Sequence, residues 1–179
     1  ECRETFTGFK WIADAVVNEP DRRLVFAYEQ ALGYLVADRP LDKDGVAAAV
    51  VMAEVAALAV AEGTSISGRL DALARRHGRH VTTERSVPFD PARGAQLVRA
   101  LAERPPASVA DRAVVAVRTF PEADLVRLWL DEEGGRGIRL QIRPSGTEPK
   151  VKLYGEAVDL PASILDELVE ALVDVVRAL

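Results

Sequence analysis

The segment Arg143-Pro144-Ser145-Gly146-Thr147-Glu148-Pro149-Lys150 concentrates groups suited to holding an oxyanion. Arg143 offers a planar fork of donors, and Ser145 and Thr147 offer hydroxyls. Gly146 lets backbone N–H groups approach closely. The two prolines restrict the loop and so reduce the entropy lost on binding. Arg136, Arg139, Arg143, Lys150 and Lys152 fall within 17 residues, opposed only by Glu148, in a chain whose net charge is −5. A local positive field in an acidic chain suits a small anion. Taken in isolation, the same residues also fit an ordinary hairpin turn with solvated charges.

Two earlier segments carry similar possibilities. Thr5-Phe6-Thr7-Gly8-Phe9-Lys10-Trp11 sets two threonines, a glycine and a lysine among aromatic residues. This pattern fits a ligand loop, or a helix start whose Phe9 and Trp11 are core residues. In Ala27-Tyr28-Glu29-Gln30-Ala31-Leu32-Gly33-Tyr34, Glu29 can accept hydrogen bonds from sugar hydroxyls and Gly33 permits a turn. A structural carboxylate capping the next turn explains Glu29 equally well.

The elements that must position these groups follow from periodicity and punctuation. Leu24–Tyr28 is a short apolar run that reads as a buried strand with a site at its carboxyl end. Asp42-Lys43-Asp44-Gly45 precedes an alanine- and valine-rich helix to about Glu62, with Asp42 or Asp44 as its cap. Its apolar composition predicts burial on most sides. Gly63 ends it, and Thr64 or Ser65 caps a second helix with the stripe Ile66, Leu70, Leu73 and Ala74. After Gly78, Val81–Phe89 reads as a strand and Asp90-Pro91 starts a helix to about Glu103. Strands are predicted near 113–118, 126–131, 138–143 and 151–157, with a turn at 133–137 that makes a hairpin. A final helix at about 162–178 buries Leu165, Leu168, Leu172 and Val176. Alternation puts Ile138, Leu140 and Ile142 on one face and Arg139, Gln141 and Arg143 on the other. The expected architecture is an α/β portion over 1–80, then an α+β domain over 81–179. The latter has an antiparallel sheet of four or five strands with helices on one face.

Composition excludes several classes. The 179 residues allow one domain or two small ones. A single cysteine rules out a stapled secreted scaffold and suits a reducing cytoplasm. Two histidines and one cysteine leave little for a metal site, and none is expected. The acidic balance and 6% aromatic content argue against nucleic-acid binding. The most apolar stretch, Val46–Ala61, carries Glu54 and is shorter than a membrane span, so no membrane partner is expected. The chain opens at Glu1-Cys2-Arg3 without an initiator methionine and reads as a piece of something longer.

TGFKW at 7–11, YEQALGY at 28–34, DKDG at 42–45 and RPSGTEPK at 143–150 stand in an order that resembles the carboxyl-terminal part of the α-D-phosphohexomutase superfamily. The likeness is to its phosphoglucomutase/phosphomannomutase family, in the branch that also contains phosphopentomutases. One departure is Gln30, where the sugar loop usually carries a second glutamate.

The resemblance implies the tail of domain 3 over 1–80 with the sugar loops. It implies domain 4 over 81–179, with the phosphate loop on a TATA-binding-protein-like sheet. It implies reversible phosphoryl transfer on a phosphosugar, through a hexose 1,6-bisphosphate intermediate and with Mg2+. By carry-over, Arg143, Ser145, Gly146 and Thr147 bind substrate phosphate, with Lys150 adding charge. Glu29 binds sugar hydroxyls, Gly8 and Phe9 shape the ring site, and Lys10 is an acid/base or charge-stabilising group. The family's serine loop and Asp-Gly-Asp-x-Asp-Arg-type metal loop are not found in these residues. The chain alone is therefore expected to be inert and to dock on its own missing N-terminal domains. A phosphopentomutase, or a non-catalytic sugar-phosphate-binding module, are the alternatives.

Overall fold

A computed structural model describes residues 2–37, 39–133, 136–145 and 148–179. The chain divides into two compact units, 1–72 and 73–179.

Four local structures begin in the first unit. Helix α1 (Phe9–Val17) follows Gly8, whose φ of 123° is a conformation that glycine adopts readily. Strands β1 (Ala27–Glu29) and β2 (Gly33–Leu35) form an antiparallel hairpin in which Glu29 faces Gly33. Helix α2 (Gly45–Ala61) starts where the Asp44 carboxylate accepts the Val46 and Ala47 N–H groups, satisfying two donors that the first turn leaves open. Asp42 instead accepts the Lys43 N–H. Gly63 and Thr64 donate back to the Val60 and Ala59 carbonyls, a Schellman closure that relies on the φ of +70° at Gly63. Helix α3 (Ile66–His77) follows, with the Ser65 hydroxyl accepting the Gly68 N–H.

Burial in this unit departs from the sequence expectation in three places. Leu24–Tyr28 is not a buried strand: Val25, Phe26 and Tyr28 are exposed, and only Leu24 and Ala27 pack on the small cluster of Phe9, Ile12 and Leu35. Of the apolar residues of α2, Ala59 alone is buried, while Val46, Val50, Val51, Met52, Leu58 and Val60 are exposed. The α3 stripe is likewise open at Leu70 and, at the first residue beyond the unit, Leu73. The reason is common to all three. Apolar periodicity says which face wants cover, but cover needs a second layer, and among the described residues of this unit the only sheet is a two-stranded hairpin of six residues.

The second unit has that second layer. Six strands lie in the order β3-β8-β7-β6-β5-β4: β3 His80–Pro88, β4 Ser108–Val109, β5 Arg112–Phe120, β6 Leu125–Leu130, β7 Ile138–Pro144 and β8 Lys150–Val158. All neighbours are antiparallel. The sequence reading missed β4, a two-residue edge strand too short to show alternation. Asp90 caps a 3-10 turn at Pro91–Arg93, and α4 (Gly94–Glu103) starts three residues later than a continuous helix would. Helix α5 (Ala162–Arg177) buries Leu165, Leu168, Val169, Leu172, Val173 and Val176. With α4's Leu97 and Leu101 they cover one sheet face, where Val126, Leu128, Leu130, Leu140, Ile142, Val151 and Leu153 form the core. Gly155 in β8 lets α5 settle this closely, since a Cβ there would lie 2.7 Å from Val169 Cγ2 and 3.0 Å from Leu165 Cδ1.

Candidate functional site

The anion-loop residues sit where β7 ends and β8 begins. Alternation buries Ile138, Leu140 and Ile142 and leaves Arg143 half-buried on the face away from the helices, directly opposite Lys152 in the register of β7 with β8. Ser145 closes the loop twice: its N–H donates to the Lys150 carbonyl at 2.9 Å, and its hydroxyl accepts the Glu148 N–H at 3.2 Å. Phe89 N–H donates to the Pro149 carbonyl at 3.0 Å, pinning the loop to β3. At the root, α4 approaches Pro144 so closely that a Cβ on Gly94 would meet Pro144 Cβ at 2.9 Å. Gly146 and Thr147, both expected to bind phosphate, lie outside the described residues.

The charges here are unequal in availability. Lys150 pairs with Glu148 at 2.8 Å, and Lys152 with Glu84 at 2.7 Å. Among the described residues, no carboxylate pairs with Arg143. The Lys150 hydrogen bond and charge hold the Glu148 carboxyl below its ordinary value. The hydrogen bond to Glu84 raises the Lys152 ammonium, against a smaller opposing effect of burial. Burial pushes the Tyr154 phenol up, while the positive charges of Lys152 and Arg143 oppose it. Two cations facing each other across a strand pair repel. Glu84 offsets Lys152 and leaves the Arg143 fork as the group with charge to offer.

In the first unit, three sequence segments meet. Phe9 is buried at the start of α1, and Gly33 can only be glycine beside it, since a Cβ would lie 2.5 Å from Phe9 Cε2 and 2.9 Å from Glu29 Oε1. The Glu29 side chain is 7% exposed, and Lys43 Nζ lies 3.4 Å from its Oε1. The same ammonium stands 5.8 Å above the Phe9 ring. Asp44 N–H donates to the Tyr34 carbonyl at 2.9 Å, tying the start of α2 to β2. Phe9, Glu29, Gly33 and Lys43 therefore form one cluster. Lys10 does not join it: this exposed residue lies 5.0 Å over the Trp11 ring. Gly8 sets the turn into α1 by accepting the Trp11 N–H at 3.0 Å, and Gln30 is exposed. The sequence reading took the DKDG segment as a helix cap and passed over Lys43. Its place between two aspartates, just before the helix, was the available signal.

No group of three or more His, Cys, Asp or Glu among the described residues could hold a metal ion. No single helix among them is long and apolar enough to cross a membrane.

Comparison with known proteins follows the same division. Residues 1–77 match the model for phosphoglucomutase/phosphomannomutase alpha/beta/alpha domain III, and residues 97–175 match that for the C-terminal domain. A probable phosphomannomutase of Haemophilus influenzae is 35% identical over 163 residues, 88% of this chain and 32% of the relative. A phosphopentomutase of Homo sapiens is 41% identical over 81 residues, 44% of this chain and 13% of the relative. Among solved structures, the open form of the Paramecium phosphoprotein pp63/parafusin, a phosphoglucomutase, superposes with a TM-score of 0.54. It is 15% identical and covers 96% of this chain and 32% of that one. This likeness speaks to the fold alone. The chain spans about a third of the length of the phosphomannomutase relative. The chain belongs to the phosphoglucomutase/phosphomannomutase family, of which it carries domain III sequence followed by the C-terminal domain.

Proposed function

We propose that this chain supplies sugar and phosphate recognition to a phosphosugar mutase, an intramolecular phosphotransferase of the phosphoglucomutase/phosphomannomutase type acting in the cytoplasm. The observation that carries the reading is Arg143, a half-buried guanidinium with no carboxylate partner among the described residues, beside a loop closed on Ser145. Residues 81–179 hold the phosphate through Arg143, Ser145, Gly146 and Thr147, with Lys150 adding charge. Residues 1–80 recognise the sugar, with Glu29 accepting its hydroxyl hydrogens and Gly8 and Phe9 shaping the ring wall. Lys10 acts as an acid/base or charge-stabilising group.

The site must hold the unreactive end of the sugar in two related poses, as one phosphate is given and the other taken back through a hexose 1,6-bisphosphate. A guanidinium and hydroxyls tolerate both, because charge and hydroxyl contacts survive a small rotation that a rigid apolar fit would not. Mg2+ would stabilise charge during transfer, but the described residues offer no ligand set for it. In this reading the phosphoserine and metal loops reside in N-terminal domains that this chain lacks. The chain alone is inert, and its exposed α2 residues are the surface that those domains and the rest of domain III cover.

Arg143→Ala in the full-length enzyme tests the phosphate assignment. Truncating one partner of a charge-assisted contact costs about 2–5 kcal/mol, so KM should rise steeply or activity vanish. Unchanged kinetics on glucose 1-phosphate, mannose 1-phosphate and ribose 1-phosphate would sink it. The phosphopentomutase likeness over 81 residues favours a second reading, in which ribose 1-phosphate is the preferred substrate. Comparing kcat/KM on the three sugar phosphates decides between them. Phosphosugar binding without turnover on any of them would favour a non-catalytic module.

A further inference from the structure

We infer that the connector between β3 and α4, residues 89–94, positions the phosphate loop, with Gly94 as its central positioning residue. By seating the start of α4 on Pro144, Gly94 fixes where Arg143 and Ser145 present their donors. The inference rests on the phosphate-site reading given above. Gly94 has a backbone that needs no glycine: φ −56° and ψ −52° are ordinary helical angles, where glycine is less stable than alanine. What the position lacks is space. A Cβ would lie 2.9 Å from Pro144 Cβ and 3.4 Å from Pro144 Cγ, and the proline ring cannot swing aside as a flexible side chain would. Pro144 stands between Arg143 and Ser145, so a displacement of its ring moves the backbone of both.

The same connector grips the other root of the loop. Phe89 N–H donates to the Pro149 carbonyl at 3.0 Å, so residues 89–94 touch the loop both where it leaves β7 and where it enters β8. The connector is itself braced. The Asp90 carboxylate accepts the Ala92 N–H at 2.9 Å, and the Asp90 carbonyl accepts the Arg93 N–H at 3.0 Å. The Arg93 guanidinium lies 5.6 Å over the Phe89 ring and donates to the Leu179 carbonyl at 2.9 Å. Fixed roots matter to a loop that holds an anion through an arginine fork and hydroxyls, because such contacts are strong only in the right geometry.

The test uses the full-length enzyme and the sugar phosphate it turns over best. Gly94→Ala should raise KM by about 10- to 100-fold, the scale of a misplaced binding group. The change in kcat should be smaller, and the inhibition constant of inorganic phosphate should rise in parallel with KM. Pro144→Gly removes both atoms that the new Cβ would strike, so in that background Gly94→Ala should add little, as coupled neighbours are not additive. An equally large added rise in that background would overturn the positioning role. So would an unchanged KM in Gly94→Ala beside a lowered melting midpoint, which would leave a glycine that serves packing alone. Arg93 is exposed, and Arg93→Ala loosens the brace without inserting an atom, so it carries the test if Gly94→Ala does not fold. It should raise KM by about 2- to 5-fold, the scale of an exposed cation–π contact, and an unchanged KM there would overturn the inference. Unchanged kinetics in Arg143→Ala would instead remove the phosphate-site reading itself, and the inference with it.

Discussion

The two units spend their apolar residues differently. In residues 73–179, two amphipathic helices lie on a six-stranded sheet, and the leucines and valines of both layers are buried against each other. In residues 1–72, the most apolar helix of the chain, α2, buries one alanine, and a cluster of three residues serves as core. Hydrophobicity alone therefore does not make a core. It takes a second layer at packing distance, which the first unit has only in miniature. The two candidate clusters sit accordingly: the Arg143–Lys150 segment on the end of a well-packed sheet, and Glu29 on a short hairpin beside Gly33, Phe9 and Lys43.

Substitution in the two apolar populations gives the sharpest contrast. Leu140→Ala, at a fully buried strand position, should destabilise the chain by about 2–5 kcal/mol in denaturant titrations followed by circular dichroism. Leu58→Ala in α2, at an exposed position, should change stability by less than about 0.5 kcal/mol. Equal losses would break the comparison. Next in size, Gly155→Val forces a side chain against Val169 and Leu165 and should cost about 1–3 kcal/mol, seen as a lower midpoint with an unchanged slope.

Asp44→Ala removes the cap of α2 and should cost about 1 kcal/mol of helix stability. Helical ellipticity should fall while the near-ultraviolet signal of Trp129 in the sheet unit stays unchanged. The smallest effect is on pH dependence. Because Glu148 is lowered by Lys150, its contribution is present above the ordinary glutamate value and is lost as pH falls through the depressed one. Because Lys152 is raised by Glu84, its contribution is complete below the ordinary lysine value and is lost as pH rises through the raised one. Both slopes belong to the sheet unit. Glu148→Gln should flatten the acid limb and Glu84→Gln the alkaline limb of a stability–pH profile.

Much of the sheet unit was legible in advance because its signals are local. The alternation of residues 138–143 named the buried and exposed faces of β7 correctly, and the spacing of Leu165, Leu168, Leu172 and Val176 named the core face of α5. The turn about 133–137 predicted the β6–β7 hairpin, and those strands pair antiparallel. The edge strand β4 was missed because two residues carry no period. In the first unit Gly63 was legible as a helix end and each cap to within two candidates, Asp42 or Asp44 and Thr64 or Ser65, of which the structure uses Asp44 and Ser65; the burial of 24–28, α2 and α3 was not legible. Burial depends on what lies opposite, which the run itself does not encode.

The amino-acid sequence by itself determined the approximate places of the long helices and of five of the six strands of the sheet unit, which side of β7 is apolar, and that Arg143 and Ser145 are neighbours at its end. Each of these follows from contacts a few residues apart. Only the tertiary structure decided that Lys43 meets Glu29 while Lys10 lies over Trp11, and that Lys150 and Lys152 are taken by Glu148 and Glu84 while Arg143 is not. The physical reason is that charge pairing is set by distance in space. Glu29 and Lys43 are 14 residues apart, and Glu84 and Lys152 are 68 apart. The folded backbone, not the spacing along the chain, chooses which cation meets a carboxylate.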